Sequence, residues 1–257
     1  ELDAIKKEYG SKRRTSVENA EEAVYEEKKM EEMEVCFLMD RFGYMKLIDK
    51  NAYERNKEAV HNENKYVFNC MNTDKICIFT DTGKMHTIKA VDIPLGRFRD
   101  KGTPVDNLSN YDSSQERMLY VAPVGQLRSD RLLFVTKTSM CKLVEGAEFD
   151  VAKRTIASTK LADEDELIFI GSASEMEQIV LQSHGGCFLR FLTQEVSTMK
   201  KTALGVRGMK LADDDYLEHA YLLAGHQEYT ISYHDKEYAL NKVRLAKRDT
   251  KGIKPRI

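Results

Sequence analysis

Four groups of basic side chains stand out along the chain: Arg97, Arg99 and Lys101; Lys153, Arg154 and Lys160; Lys200, Lys201, Arg207 and Lys210; and Lys247, Arg248, Lys251 and Lys254. A lone lysine pair is ordinarily a solvated face. A pair that returns at similar spacing suits one task, the neutralisation of phosphates along an extended polyanion. Two of the groups lead into acidic runs, Asp163-Glu164-Asp165-Glu166 and Asp213-Asp214-Asp215. Bases and acids are thus segregated within a repeat, and a nearly neutral body can still present a basic rim. The chain as a whole carries −2; residues 1–34 hold 11 acids and 7 bases, which leaves 33 bases and 31 acids for residues 35–257. An anion-binding surface is therefore expected as a local stripe rather than a global field.

Other constellations carry less chemistry. Cys70 and Cys77 lack a second close pair, so a zinc site is not expected. His184-Gly-Gly-Cys187 and His234-Asp235 fall where turns are expected, without a nucleophile–base pair at recognisable spacing. There is no glycine-rich phosphate loop ending in Lys-Ser/Thr, and Met39, Met45, Met85 and Met140 suit core filling.

Elements must hold the basic groups in register. The 257 residues are 42% apolar and 32% charged, in the range of a soluble globular protein. No apolar run approaches the ~18 residues of a membrane span, and with no charged-then-apolar pattern a secretory leader is not expected. Five scattered cysteines, an odd number, point to reduced thiols and a cytoplasmic setting. A chain that begins at Glu1 rather than Met is expected to be a piece of a longer protein.

Leu2, Ile5 and Tyr9 fall at helical spacing before Gly10, which predicts a short helical connector. The charged stretch with Glu21-Glu22, Glu26-Glu27-Lys28-Lys29 and Glu31-Glu32 is expected to be a linker. From Val35 a strand, a small-residue turn and a second strand recur five times, with turns at Gly43, Gly83, Ser139, Gly186 and about Lys236. Spacings of 40, 56, 47 and roughly 50 residues are the signature of a propeller-like array, in which each small sheet buries its faces against its neighbours. The expected fold is all-β, about five four-stranded blades over 35–257, preceded by a connector over 1–34.

Two stretches resemble a known family. Leu204-Gly-Val-Arg-Gly-Met-Lys-Leu-Ala-Asp-Asp-Asp-Tyr-Leu217 is similar to the second half of the β-pinwheel blade in the C-terminal domains of gyrase and topoisomerase IV A subunits, "G-V-x-G-x-K-L…D-x-L". Glu1-Leu-Asp-Ala-Ile-Lys-Lys-Glu-Tyr-Gly-Ser-Lys-Arg-Arg-Thr15 resembles the end of the catalytic core in the same subunits. The resemblance implies hairpins exchanged between neighbouring blades and double-stranded DNA lying along the outer rim. It implies a parent type IIA topoisomerase with a second A subunit, ATP-binding B subunits, ATP and Mg. No cofactor is implied for this stretch, and no catalytic residue, since the cleaving tyrosine lies upstream and Tyr9 is a helix-end position.

Gyrases carry a Q-R-R-G-G-K-G box that wraps DNA. The comparable place reads Gly96-Arg97-Phe98-Arg99-Asp100-Lys101-Gly102, where only Arg97, Lys101 and Gly102 agree. The paired glycines that would let backbone approach phosphate are replaced. This favours a topoisomerase IV-like, non-catalytic domain that binds and bends DNA, with a gyrase wrapping domain as runner-up. The rival of another class is a propeller-type protein-interaction module.

Overall fold

The computed structural model describes residues 1–11, 31–225 and 228–255, and the chain divides into two compact units, Glu1–Glu31 and Glu32–Ile257. Among its described residues the first contains a helix, α1 (Leu2–Tyr9), ending at Gly10 as the spacing predicts. Most of the charged stretch expected to be a linker, residues 12–30, lies outside the described residues.

The second unit is built from hairpins. Its strands are β1 (Glu34–Asp40), β2 (Tyr44–Asp49), β3 (Asn64–Met71), β4 (Lys75–Thr80), β5 (Lys84–Lys89), β6 (Thr103–Pro104), β7 (Met118–Pro123), β8 (Arg131–Thr136), β9 (Met140–Glu145), β10 (Thr155–Ala157), β11 (Leu167–Ser172), β12 (Gln178–Ser183), β13 (Phe188–Leu192), β14 (Val206–Arg207), β15 (Leu217–Leu223), β16 (Thr230–Tyr233) and β17 (Lys236–Ala239). The first four hairpins turn on a residue of positive φ: Gly43, Gly83, Ser139 and Gly186. Glycine takes that conformation without steric cost. Ser139, at 72°, is the exception; it is buried, and its Oγ accepts the Met209 N–H at 2.7 Å. The fifth turn falls on His234-Asp235, both at positive φ, as expected, and the adjoining Lys236 opens β17.

Every full sheet is antiparallel and mixes two repeats. The orders are β3-β1-β2-β6, β10-β5-β4-β7 and β11-β8-β9-β14. In each, the fourth strand comes from beyond the next hairpin: β6 follows the second hairpin yet pairs with β2, and β14 follows the fourth yet pairs with β9. The fourth sheet, β13-β12-β15, receives only a bridge between Phe188 and Ile253 at that position, and the fifth is the pair β16-β17. Among the described residues the array is thus a β-pinwheel of three four-stranded blades and two smaller ones, where about five four-stranded blades were expected.

Alternation along each hairpin sends successive side chains to opposite faces, and both faces of the first four hairpins are buried, whereas β16 and β17 keep only partly buried and exposed residues. Phe37, Met45 and Leu47 meet Ile76, Ile78 and Ile88 between the first two sheets. Phe79, Cys77 and Met85 meet Leu132, Phe134 and Phe149 between the next two. Leu133, Val135 and Leu143 meet Ile179, Leu181 and Phe191, and Val180 and Phe188 meet the fifth hairpin through Ile231 and Tyr233. The remaining face of the first sheet, Cys36, Leu38 and Ile48, is covered by Val60, Ala52 and Tyr53. These belong to α2 (Lys50–Arg55) and α3 (Lys57–Glu63), which strand periodicity does not announce. Met39, Met45 and Met85 are core residues as expected, whereas Met140 is half-buried. Among the described residues, no helix is long and apolar enough to cross a membrane.

Candidate nucleic-acid interface

Arg97, Arg99, Lys101, Lys153, Arg154, Lys200, Lys201, Lys247, Arg248 and Lys251 lie on the segments that link each hairpin's second strand to the exchanged outer segment; Arg207 is in the exchanged β14, and Lys160, Lys210 and Lys254 follow the exchanged segments. Each link begins with a short 3-10 turn (Ala90–Asp92, Gly146–Phe149, Thr193–Glu195, Leu240–Lys242). Three of the links then form a parallel bridge to the preceding hairpin: Leu95 to Leu47, Thr198 to Leu143 and Leu245 to Arg190. Two residues past each bridge stand Arg97, Lys200 and Lys247, all exposed. In the remaining link, Lys153 and Arg154 are exposed and the Arg154 carbonyl accepts the Thr87 N–H at 2.7 Å. The recurring basic pair is therefore a recurring place in the fold.

A second regularity, invisible as spacing, lies beneath the links. Lys46 on β2 and Lys142 on β9 occupy matching ladder positions, opposite Leu38 and Phe134. Lys142 Nζ donates to the carbonyls of Lys201 at 2.7 Å and Ala203 at 2.6 Å. Lys46 Nζ donates to the matching carbonyls of Phe98 and Asp100, the latter at 2.6 Å. Arg190 donates to the Asn241 carbonyl one hairpin further on. These cations tie down the backbone that carries the exposed ones. Lys142 is only 1% exposed, and burial pulls its ammonium down to about 8, against the opposing pull of Glu148. Burial also lowers Lys46, although Asp100 draws it the other way. In the second sheet the corresponding residue is His86, bonded to Glu116 at 3.0 Å and to Thr155 of the exchanged β10 at 3.2 Å.

In the links led by Lys200 and Lys247, the residue after the leading cation turns inward. The Glu148 carboxylate accepts the Lys201 N–H at 3.2 Å, and Lys201 Nζ donates to the Glu148 carbonyl at 3.1 Å. Arg248 repeats this on Glu195, with its N–H on the carboxylate at 2.9 Å and Nε on the carbonyl at 3.0 Å. Lys201 and Arg248 therefore join one repeat to the next. Two more expected contacts are ion-paired: Lys200 with Glu148 at 3.3 Å and Arg207 with Asp249 at 2.5 Å. Lys101 packs over the Tyr44 ring at 4.6 Å. Arg97, Arg99, Lys153, Arg154, Lys160, Lys210, Lys247, Lys251 and Lys254 are exposed and make no ion pair among the described residues.

Consecutive links also touch. The Lys160 N–H reaches the Lys201 carbonyl at 3.1 Å, and the Lys210 N–H reaches the Thr250 carbonyl at 3.0 Å. Where the second blade's outer strand meets the fourth repeat's link, Lys153, Lys160 and Lys201 line an open cleft of about 590 Å³ with Thr155, Thr159 and Thr202. Lysines and hydroxyls without a lining carboxylate make a site suited to phosphate oxygens.

Glycine-poor though it is, the Gly96–Gly102 segment keeps a tight turn, because Asp100 Oδ2 accepts the Arg97 N–H at 2.7 Å. A carboxylate of the chain's own thus takes one of the backbone donors that a glycine-rich loop would leave for a phosphate.

Comparison with known proteins agrees with this architecture. The family described as "DNA gyrase C-terminal domain, beta-propeller" matches residues 74–113, 130–174 and 177–224, the second to fourth hairpins with their links. The chain is 28% identical over 219 residues to the DNA gyrase A subunit of Clostridium acetobutylicum, covering 81% of this chain and 26% of that protein. It is 28% identical over 227 residues to the DNA gyrase A subunit of Salmonella typhimurium, covering 84% and 26%. The chain thus spans about a quarter of the length of these relatives. Among solved structures, the C-terminal domain of DNA topoisomerase IV superposes with a TM-score of 0.75 at 22% identity, covering 87% of this chain and 72% of that one. The E. coli ParC C-terminal domain gives 0.68 at 15% identity, covering 87% and 94%. With the matched stretches making up more than half of its length and the fold agreeing over 87% of it, this chain belongs to the DNA gyrase C-terminal domain, beta-propeller, family.

Proposed function

We propose that this chain is the non-catalytic, DNA-binding C-terminal domain of an ATP-dependent type IIA topoisomerase A subunit, and that it holds and bends a duplex for the strand-passage gate of the parent enzyme. The observation that carries the reading is the recurrence of an exposed cation two residues beyond the bridge in three of the four links, on backbone that is pinned from below and joined link to link. Such an array neutralises phosphates at intervals and reads no base, as bending requires. Arg97, Arg99, Lys153, Arg154, Lys160, Lys210, Lys247, Lys251 and Lys254 are the phosphate contacts in this reading. Lys200, Arg207 and Lys101 add charge, while Lys201 and Arg248 position the links.

Bending rather than wrapping is favoured by the Asp100 carboxylate, which occupies the Arg97 N–H in the loop that gyrases leave glycine-rich. The gyrase A subunits among the relatives favour the wrapping alternative. The second A subunit, the ATP-binding B subunits and a place beside the nucleoid belong to the parent enzyme in this proposal. The test is duplex titration at two salt concentrations, followed by ligation of nicked circles with the protein bound. Salt-dependent binding with unchanged linking number supports bending. A shift in linking number supports wrapping, and no binding at low salt favours a protein-interaction module.

A further inference from the structure

Outside the links, one more cluster joins cations to an exposed ring. The first hairpin turns through Asp40-Arg41-Phe42-Gly43, and Phe42 is 74% exposed at its tip. Thr82, Thr138 and Gly185 stand at the matching place of the next three turns, so this blade alone carries a large apolar side chain there. Arg41 lies over the Phe42 ring at 5.1 Å. Beside the turn is a cleft of about 190 Å³ whose lining includes Arg41, Phe42, Lys65 and Arg117. The carboxylates bordering it are engaged: Asp40 Oδ1 accepts the N–H groups of Phe42 and Tyr44 at 2.8 and 3.0 Å, and Asp106 Oδ1 accepts the Ser113 N–H at 2.8 Å. Arg117 meets Asp81 at 3.6 Å, while Lys65 makes no ion pair among the described residues and lies over the Tyr66 ring at 5.1 Å. Burial, and then the charge of Arg117, lower the Lys65 ammonium.

The cluster continues the basic rim. Tyr44, one residue past the turn, packs under Lys101 of the first link and pairs with Pro104 of the exchanged strand. Cations that run from a link, across an aromatic face, to a cationic cleft with an exposed ring match the needs of a nucleotide unit. The phosphate goes to the cations and the ring meets sugar or base edge.

We infer that the first hairpin turn is an additional DNA contact, in which Arg41, Lys65 and Arg117 take a backbone phosphate and Phe42 packs against the adjoining nucleoside. The inference rests on the DNA-binding reading above and fixes one end of the duplex path at the first blade. An exposed aromatic at a protein–DNA contact commonly wedges against a base step, so Phe42 governs bend angle more than charge.

The experiment titrates the 257-residue chain and its Phe42→Ala, Lys65→Gln and Lys153→Gln variants with a duplex carrying a fluorescent donor and acceptor at its ends, at two salt concentrations. Inorganic phosphate is titrated separately. Phe42 and Lys65 are exposed, so matching thermal melts establish that the variants fold. The expected result is that Lys65→Gln weakens binding by about two- to tenfold and lowers the salt slope by about one. Phe42→Ala leaves that slope unchanged and reduces energy transfer between the ends. If Lys153→Gln weakens binding while the other two behave as wild type, the turn is not a DNA contact and the inference falls with the general reading intact. If wild type itself does not bind, the general reading falls. Phosphate binding that is lost in Lys65→Gln without any change in duplex affinity also overturns the inference, because the cleft is then a small-anion site.

Discussion

Lys142 offers the sharpest test of how the links are held. Replacing it with methionine keeps a long apolar stem over the Phe134 ring, 5.8 Å from the present ammonium, and removes the donors to the Lys201 and Ala203 carbonyls. Two hydrogen bonds from a charged donor contribute about 1.5–3 kcal/mol each. Against this, holding the ammonium where its pKa falls from 10.5 to about 8 costs about 3 kcal/mol. The net loss at neutral pH is therefore about 0–3 kcal/mol, and the diagnostic quantity is its pH dependence. Between about 8 and 10.5 the native lysine has released its proton while the unfolded one retains it. The unfolded state then binds more protons, so stability rises with pH across that window, by about 3 kcal/mol. Below about pH 8 both states are protonated and the contribution is flat. Lys142→Met has no such rise. Urea unfolding of both proteins from about pH 7 to pH 10.5 reads the difference, because every other titrating group is common to both. Parallel stability curves would refute the buried-ammonium argument. Weaker duplex binding by the variant at neutral pH, about threefold or more, is the functional counterpart of the loosened link.

The other predictions concern single contacts. Glu116 is raised by burial, but hydrogen bonds from His86, Lys84 and Thr80 outweigh this and hold it at about 2; the stability it contributes is present above about pH 4.5 and is lost as pH falls towards 2, so Glu116→Gln flattens the acid limb of a pH-denaturation curve. Gly205→Ala places a Cβ 2.7 Å from the Cys141 carbonyl oxygen at a φ of 107°, and a melt should show a loss of about 1–3 kcal/mol or more. Lys153→Gln should weaken duplex binding with a salt slope lower by about one, whereas Lys201→Gln, which breaks a bond to the Glu148 carbonyl, should lower thermal stability as well.

The hairpins were legible because a turn of positive φ selects glycine and because flanking apolar strands repeat around it. The exchange of outer strands was not legible from periodicity. β6 and β14 are two residues long and Ile253 makes a single bridge, too little for an alternating pattern to register. α2 and α3 have six and seven residues, shorter than the window in which helical period shows. The cap that begins α2, Asp49 accepting the Ala52 N–H at 2.8 Å, was the available signal.

For the candidate site, the position of the basic pairs could be read from spacing, but their partners could not. Glu148 answers Lys200 from the preceding repeat and Asp249 answers Arg207 from the following one, distances in sequence that no local pattern encodes. Lys46 and Lys142 sit at strand positions that alternate with apolar neighbours, the usual mark of a solvent-facing side chain. Each is covered only because a link folds over it.

The borrowed outer strand has an evolutionary and mechanical corollary. A tandem array whose units touch only along flat interfaces can shed or duplicate a unit at almost any boundary. Here a cut between one hairpin and the segment it lends would strip an edge from the sheet before it, leaving exposed amide and carbonyl groups open to stray pairing. Length changes are therefore tolerated only in blocks that begin at a hairpin and end after its lent strand. A pull on the C-terminal side must peel the fourth sheet's edge at Ile253 before that sheet's own hairpin can open.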